Sequence, residues 1–301
     1  MSYALSDISY NDGSAKVIRN IIGGDWNPEA TLLLGKNSSA VDPGAFFGGK
    51  VTPKAGFRTS DLAAILAMSP LAGVKVTGGI TLPFRKRDDC GDFTSGSTHA
   101  SSTCTAGLLL VEELTVSGES EGEETPAAVA QCAFHAKSAN GTDPIGVSTN
   151  VSLSAESFGS QFTLGPVYVN GTLVPQVTNY SLRMNHRVMV RHYNGLNFPQ
   201  KVFIVFRSPQ IQLELDDLAA FKTAGGFGAS FSAVTNVIAY LRKRKSASDF
   251  EDPAATVHGS ISFGAGLAKT DNISFSQGQN GTGRVSINAA NLSWSVGVAL
   301  P

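Results

Sequence analysis

Four residues have the chemistry for a metal: Cys90, Cys104, Cys132 and His135 supply three thiolates and one imidazole, a donor set that would complete a tetrahedral zinc site. Only Cys132 and His135 have knuckle-like spacing, and three positions along a strand put two side chains on opposite faces. Scattered buried thiols account better for the cysteines, and their odd number suits a reducing compartment. His186 and His192 can share a strand face, but Arg187 and Arg191 flank them and a Tyr-Asn-Gly turn follows, so they read as outward-facing polar positions. A Ser-His-Asp triad can be assembled on paper from His99 or His258, yet no G-x-S-x-G elbow accompanies it. Gly278, Gly281 and Gly283 match part of a dinucleotide loop without the strand and helix such a loop joins, and a hairpin turn explains them. Glu112 and Glu156 form a glycosidase-like carboxylate pair only if the fold brings them together. We expect no catalytic residue, no metal and no cofactor, and hence no enzyme.

Two basic clusters have the charge to meet phosphate. Arg85-Lys86-Arg87 is followed at once by Asp88-Asp89, which largely neutralises it. Arg242, Lys243, Arg244 and Lys245 form the candidate basic surface. They end an apolar series, Phe227, Phe231, Val234, Ile238 and Leu241, whose spacing predicts an amphipathic helix over 227–245. Cations at a helix C-terminus are favoured by the dipole, so the cluster reads as a solvated or subunit-facing helix end.

The elements that must hold these residues are mostly strands. Apolar and polar residues alternate through Phe158 to Phe221, with turn chemistry at Asn170-Gly171, Asn194-Gly195 and Ser208-Pro209, which predicts an antiparallel meander of about five strands. Further strands are expected over Val74–Phe84, Leu108–Val116, Val129–Ala136, Val257–Phe263, Ile273–Phe275, Val285–Ile287 and Leu292–Val298. One short helix is expected over Thr59–Met68, capped by Thr59 or Ser60, with Asp61 in its first turn and Pro70 ending it. The loop around Phe46 and Phe47 is broken by Pro43, Gly44, Gly48 and Gly49, and a Phe pair there suits a contact with another subunit or a loop tucked over its own core.

Composition narrows the classes further. The chain has 301 residues and 31.4 kDa, enough for a real core. Only 16% of it is charged, well below the roughly one quarter of an ordinary soluble domain, which suggests surface hidden in an assembly. A formal net charge of −1 argues against a free-standing nucleic-acid binder, without excluding a neutral or acidic channel for DNA. The segment MSYALSDISYNDG has no basic region followed by an apolar run, and no stretch is apolar enough for a membrane span, so we expect a cytoplasmic product without membrane insertion.

The segments FTLGPVYVNGTLVPQVTNYSLRMNHRV (162–188) and NFPQKVFIVFRSPQIQLE (197–214), with the flanking helix up to Lys245, resemble the tail-tube proteins of tailed bacteriophages and related contractile injection systems. The resemblance covers roughly residues 156–301. It implies a mainly β fold, an antiparallel sandwich or barrel of tail-tube type with a flanking helix and a β-rich N-terminal elaboration. Residues 1–58, in which Ile18–Ile22 and Thr31–Leu34 read either as brief strands or as an arm lying on a neighbour, would be an arm with loops, 59–155 the elaboration or a second tube-like subdomain, and 156–301 the core.

The same resemblance implies a virion protein, assembled in the bacterial host cytoplasm. Six subunits would form a ring with the sheets joined around a lumen, and rings would stack into a tube or a tube-adjacent hub. Its partners would be copies of itself, other tail or virion proteins, and DNA passing transiently. The arm 1–58 and the loop 90–105 become candidate contacts, which singles out Phe46, Phe47, Phe93 and His99. The competing expectation is a soluble β-sandwich that binds a carbohydrate or a protein partner, with Phe46, Phe47, Tyr168, Tyr193 and Trp294 as platforms.

Overall fold

The computed structural model describes residues 2–27, 29–35, 45–90, 92–118, 126–154, 157–216, 222, 231–246, 249–274 and 282–301. They are mainly β, in antiparallel sheets. The largest sheet has ten strands among the described residues. From one edge to the other it runs Ser232–Val234, Gly266–Ser274, Thr282–Ala289, Gln210–Leu215, Val177–Arg183, Gly107–Ser117, Ala128–Ala136, Lys54–Thr59 and Ile21–Asn27, with Val74–Val76 also paired to Gly107–Ser117.

Period-two patterning makes one face of this sheet dry. Ile211, Leu213 and Leu215 are fully buried while Gln212 and Glu214 take the other face. The buried row continues across the neighbours through Val285 and Ile287 on one side, then Tyr180 and Leu182, Leu114 and Val116, Ala130, Cys132 and Phe134, and Phe57 on the other. Each large apolar side chain in such a row contributes roughly 1.5–3 kcal/mol of transfer free energy.

A six-stranded sheet runs Ile145–Val151, His99–Cys104, Ile80–Arg87, Ile8–Asn11 and Ala15–Ile18, with Ser2–Leu5 also paired to Ile80–Arg87. A five-stranded sheet runs Leu292–Val298, His258–Phe263, Val237–Lys243, Phe162–Val169 and Thr172–Val174. Two hairpins stand apart, Ala30–Gly35 with Ala45–Val51 and Arg187–Arg191 with Lys201–Phe206. The helix Leu62–Leu66 is capped by Asp61, whose carboxylate accepts from Ala64 N at 3.4 Å and from Arg19 N at 3.0 Å. Leu62, Ile65 and Leu66 point into the core.

The two halves of the chain repeat one another. In residues 2–154 the six-stranded sheet orders its strands as the five-stranded sheet orders its own in 157–301, each with its N-terminal hairpin at one end and its last strand at the other. Within the large sheet, Ile21–Asn27, Lys54–Thr59, Ala128–Ala136, Gly107–Ser117 and Val74–Val76 have their counterparts, in the same pairing, in Val177–Arg183, Gln210–Leu215, Thr282–Ala289, Gly266–Ser274 and Ser232–Val234.

Irregularities repeat as well. Register shifts fall between Ile21 and Gly23 and between Val177 and Asn179, then between Val111 and Glu113 and between Thr270 and Asn272. Asn20 and Gln176 hold φ of 51° and 56° at matching turns. Their carbonyls accept from Ser60 N and Asp216 N, both at 3.2 Å. Bulges and positive-φ residues are specific devices, so their coincidence identifies two copies of one β unit.

Three expectations are corrected. The described part of 227–245 forms the strands Ser232–Val234 and Val237–Lys243, because Val237, Ala239 and Leu241 alternate as well as Val234, Ile238 and Leu241 match a helical stripe, and strands await them on both sides. Phe158 to Phe221 is not one meander: its strands are shared among the five-stranded sheet, the ten-stranded sheet and a separate hairpin. Residues 1–58 are no separate arm, since Ile8–Asn11 and Ala15–Ile18 lie inside one sheet and a division at 58/59 would cut the strand Lys54–Thr59.

Candidate functional site

The residues expected at intersubunit contacts fall into two groups. Phe46 and Phe47 lie in the strand Ala45–Val51, in register with Leu34 and Leu33, and their side chains lie outside the described residues. Phe93 is half-exposed, with the guanidinium of Arg87 4.9 Å and that of Arg85 5.8 Å from its ring centroid. His99 is only 2% exposed, so it is an internal fastener rather than a contact: its Nδ1 accepts from Lys86 N at 3.1 Å.

The basic quartet belongs to the same construction in its second copy. Arg242, Lys243 and Arg244 are half-buried at a strand end, and only Lys245 is exposed. The guanidiniums of Arg242 and Arg244 lie 4.5 and 5.2 Å from the Phe250 ring centroid. Buried His258 accepts from Lys243 N at 3.0 Å through Nδ1, which leaves Nε2 as the donor to Asp252 O at 2.9 Å. Sequence reasoning treated Phe93, His99 and the quartet as unrelated. The signal that joins them is the recurrence of Arg-Lys-Arg, Asp-Phe, His and Ala-Gly at 85–107 and 242–266. In both copies the motif ties a strand end to the loop that returns from it.

The groups considered for chemistry are dispersed. Cys104 and Cys132 are buried, and burial pushes both thiols up, so they stay protonated, while Cys90 is exposed. His135 is lowered to about 4, chiefly by burial, with the Lys54 ammonium adding to the effect and Glu112 opposing it. His186 is half-buried rather than outward-facing, and burial and then the Arg207 guanidinium lower it. Among the described residues no three His, Cys, Asp or Glu side chains are grouped to hold a metal ion. Glu156, Gly278 and Gly281 lie outside the described residues.

What the fold does build is a seam. Gly107–Ser117 of the first unit pairs with Val177–Arg183 of the second, with Leu114 opposite Leu182 and Val116 opposite Tyr180 on the dry face, all four fully buried. On the other face Glu113 lies opposite Arg183, Thr115 opposite Ser181 and Ser117 opposite Asn179. Two ion pairs lie there: Arg183 Nε is 2.9 Å from Glu113 Oε1, and Arg284 is 2.8 Å from Glu214 Oε1. These side chains frame a shallow polar groove of about 420 Å³ across the seam.

The sheet also ends openly. Among the described residues no strand pairs with the outer edge of Ile21–Asn27, or with that of Gly266–Ser274 beyond Ala268. No helix among them is long and apolar enough to cross a membrane. Neither a protein-family model nor a curated protein sequence matches this chain.

Proposed function

We propose that the chain is a virion structural protein that joins with copies of itself into rings, stacked as a phage tail tube or as a tube-adjacent component around a conduit for DNA. The observation that carries this reading is the ten-stranded sheet, which joins two like units edge to edge and, among the described residues, leaves a free edge at each end. Open edges of long strands invite pairing with another chain, and a protein that closes into a ring satisfies them without any further device.

Two other features support it. With 16% charged residues the chain has little to keep it soluble as a monomer. Two guanidiniums of the sheet's polar face, Arg183 and Arg284, are matched to carboxylates, so a lumen wall made of it would hold a polyanion less tightly than a bare basic face. The tail-tube assignment itself rests on the resemblance carried by 162–188 and 197–214. Three aromatic residues of the competing binding-module reading lie in different elements and are each engaged within the chain: Tyr168 with Tyr240, Tyr193 with Lys201, and Trp294 with the Met68 carbonyl.

Negative-stain electron microscopy with light scattering, over a concentration series, tests the proposal. Rings or tubes with a central hole are expected. A stable monomer at every concentration overturns it.

A further inference from the structure

We infer that the seam inside the chain is repeated between chains: the outer edge of Gly266–Ser274, unpaired beyond Ala268 among the described residues, pairs antiparallel with the outer edge of Ile21–Asn27 of a second copy, in the register of the internal seam. The inference rests on the self-assembly reading above, and adds the strands, the residues and the rule that each ring holds two units per chain.

The internal repeat fixes the register. Gly107 lies opposite Val76 as Gly266 lies opposite Val234, and the register shift before Glu113 matches the shift before Asn272. Asn272, Ile273 and Ser274 therefore hold the places of Glu113, Leu114 and Thr115. On the other edge, the shifts after Ile21 and Val177 put Asp25, Trp26 and Asn27 in the places of Ser181, Leu182 and Arg183. The internal pairs Glu113 with Arg183, Leu114 with Leu182 and Thr115 with Ser181 then become Asn272 with Asn27, Ile273 with Trp26 and Ser274 with Asp25 of the second copy.

Chemistry agrees at each position. Leu114 and Leu182 form the dry pair of the seam, and Ile273 and Trp26 are apolar in the corresponding places. Trp26 packs against the core from an edge strand that has no outer neighbour among the described residues. The ion pair is replaced by two amides, each able to donate and accept, and both Asn27 and Asn272 are exposed. The two edges differ, so every chain offers one and receives the other. Such a head-to-tail contact closes into a ring when its rotation closes. Because the internal seam has the same strands in the same register, the ring alternates joints within and between chains around one continuous sheet.

Disulfide trapping tests the joint. Asn27→Cys with Asn272→Cys, in a Cys90→Ser background, is oxidised with copper phenanthroline at concentrations where light scattering detects assembly. Glu113→Cys with Arg183→Cys serves as the control, because those positions face each other within one chain and should close without a change in mass. The expected result is a non-reducing ladder of covalent dimers and higher multiples from the first pair alone. Rings that form while the control closes and Asn27–Asn272 does not cross-link would overturn this joint and leave the assembly reading intact. A monomer at every concentration would overturn both. In a second test, Asn27→Arg with Asn272→Glu should strengthen assembly at low salt, whereas Asn27→Asp with Asn272→Asp should weaken it. No difference between these two variants counts against the register.

Discussion

Arg183 Nε lies 2.9 Å from Glu113 Oε1, across the line where the second unit of the chain joins the first. The pair marks the seam without holding it. Their side chains are 58% and 28% exposed, and an ion pair in that setting contributes roughly 0–1 kcal/mol. One position along, Leu114 and Leu182 face each other fully buried. Glu113→Gln should therefore shift the urea midpoint slightly, while Leu114→Ala or Leu182→Ala should lose about 2–5 kcal/mol. A double-mutant cycle on Leu114 and Leu182 should show coupling, since the two side chains are cross-strand neighbours.

His99 and His258 should prove to be equivalent fasteners. Each accepts a backbone N–H, from Lys86 and Lys243, while almost wholly buried. Replacing either with Ala leaves that donor unpaired, which costs roughly 1–3 kcal/mol before any cavity is counted. The two sites share no hydrogen-bond partner, so the losses should add in the double variant, as read by urea denaturation. A variant with unchanged stability would show that the loop is held by other contacts.

Acid should weaken the fold in a window set by the buried imidazoles. His135 is lowered to about 4 in the folded chain, and an unfolded histidine titrates near 6.5. The unfolded state thus binds more protons between those values, so stability is complete above about 6.5 and falls as pH drops toward about 4. His186, lowered mainly by burial, acts in the same direction. The thermal midpoint should drop between about pH 7.5 and 5, and His135→Gln should remove part of that drop and leave the share of His186. An identical pH profile in the variant would show that His135 stays solvated.

Trp294 ties the last strand of the second unit to the first, its Nε1–H donating to Met68 O at 2.7 Å. Trp294→Phe keeps an aromatic ring and removes the donor, for a loss of about 1 kcal/mol. Trp294→Ala adds lost packing and should cost more, and comparing their thermal midpoints separates the two contributions.

Much of the secondary structure was legible because the chain's own alternation is strong. The strand Gln210–Leu215 alternates cleanly, and Asn170-Gly171, with φ of 52° and 77°, forms the turn that its residue types favour. The helix at Leu62–Leu66 was announced by its apolar face, but its cap is Asp61 and not Thr59 or Ser60, because Thr59 is held in the preceding strand. The stretch before Lys245 failed because Val234, Ile238 and Leu241 fit a period near 3.6 while Val237, Ala239 and Leu241 fit a period of two. Local sequence does not choose between them. Pairing with Phe162–Val169 on one side and His258–Phe263 on the other does.

Taken alone, the sequence determined the β class, the hairpin turns at Asn170-Gly171 and Asn194-Gly195 and the place of the short helix, since these depend on neighbours within a few residues, whereas Ser208-Pro209 joins strands of two different sheets. It also carried the repeated Arg-Lys-Arg, Asp-Phe and His, where a specific bond keeps residue types the same in both copies. Elsewhere the copies share little more than burial, and any apolar residue of suitable size meets that demand, so only the pairing of strands revealed them as one unit. Tertiary structure decided that Gly107–Ser117 meets Val177–Arg183, and with it which edges of the sheet remain open, because strand partners are set by the register and burial of the whole sheet and not by any one strand.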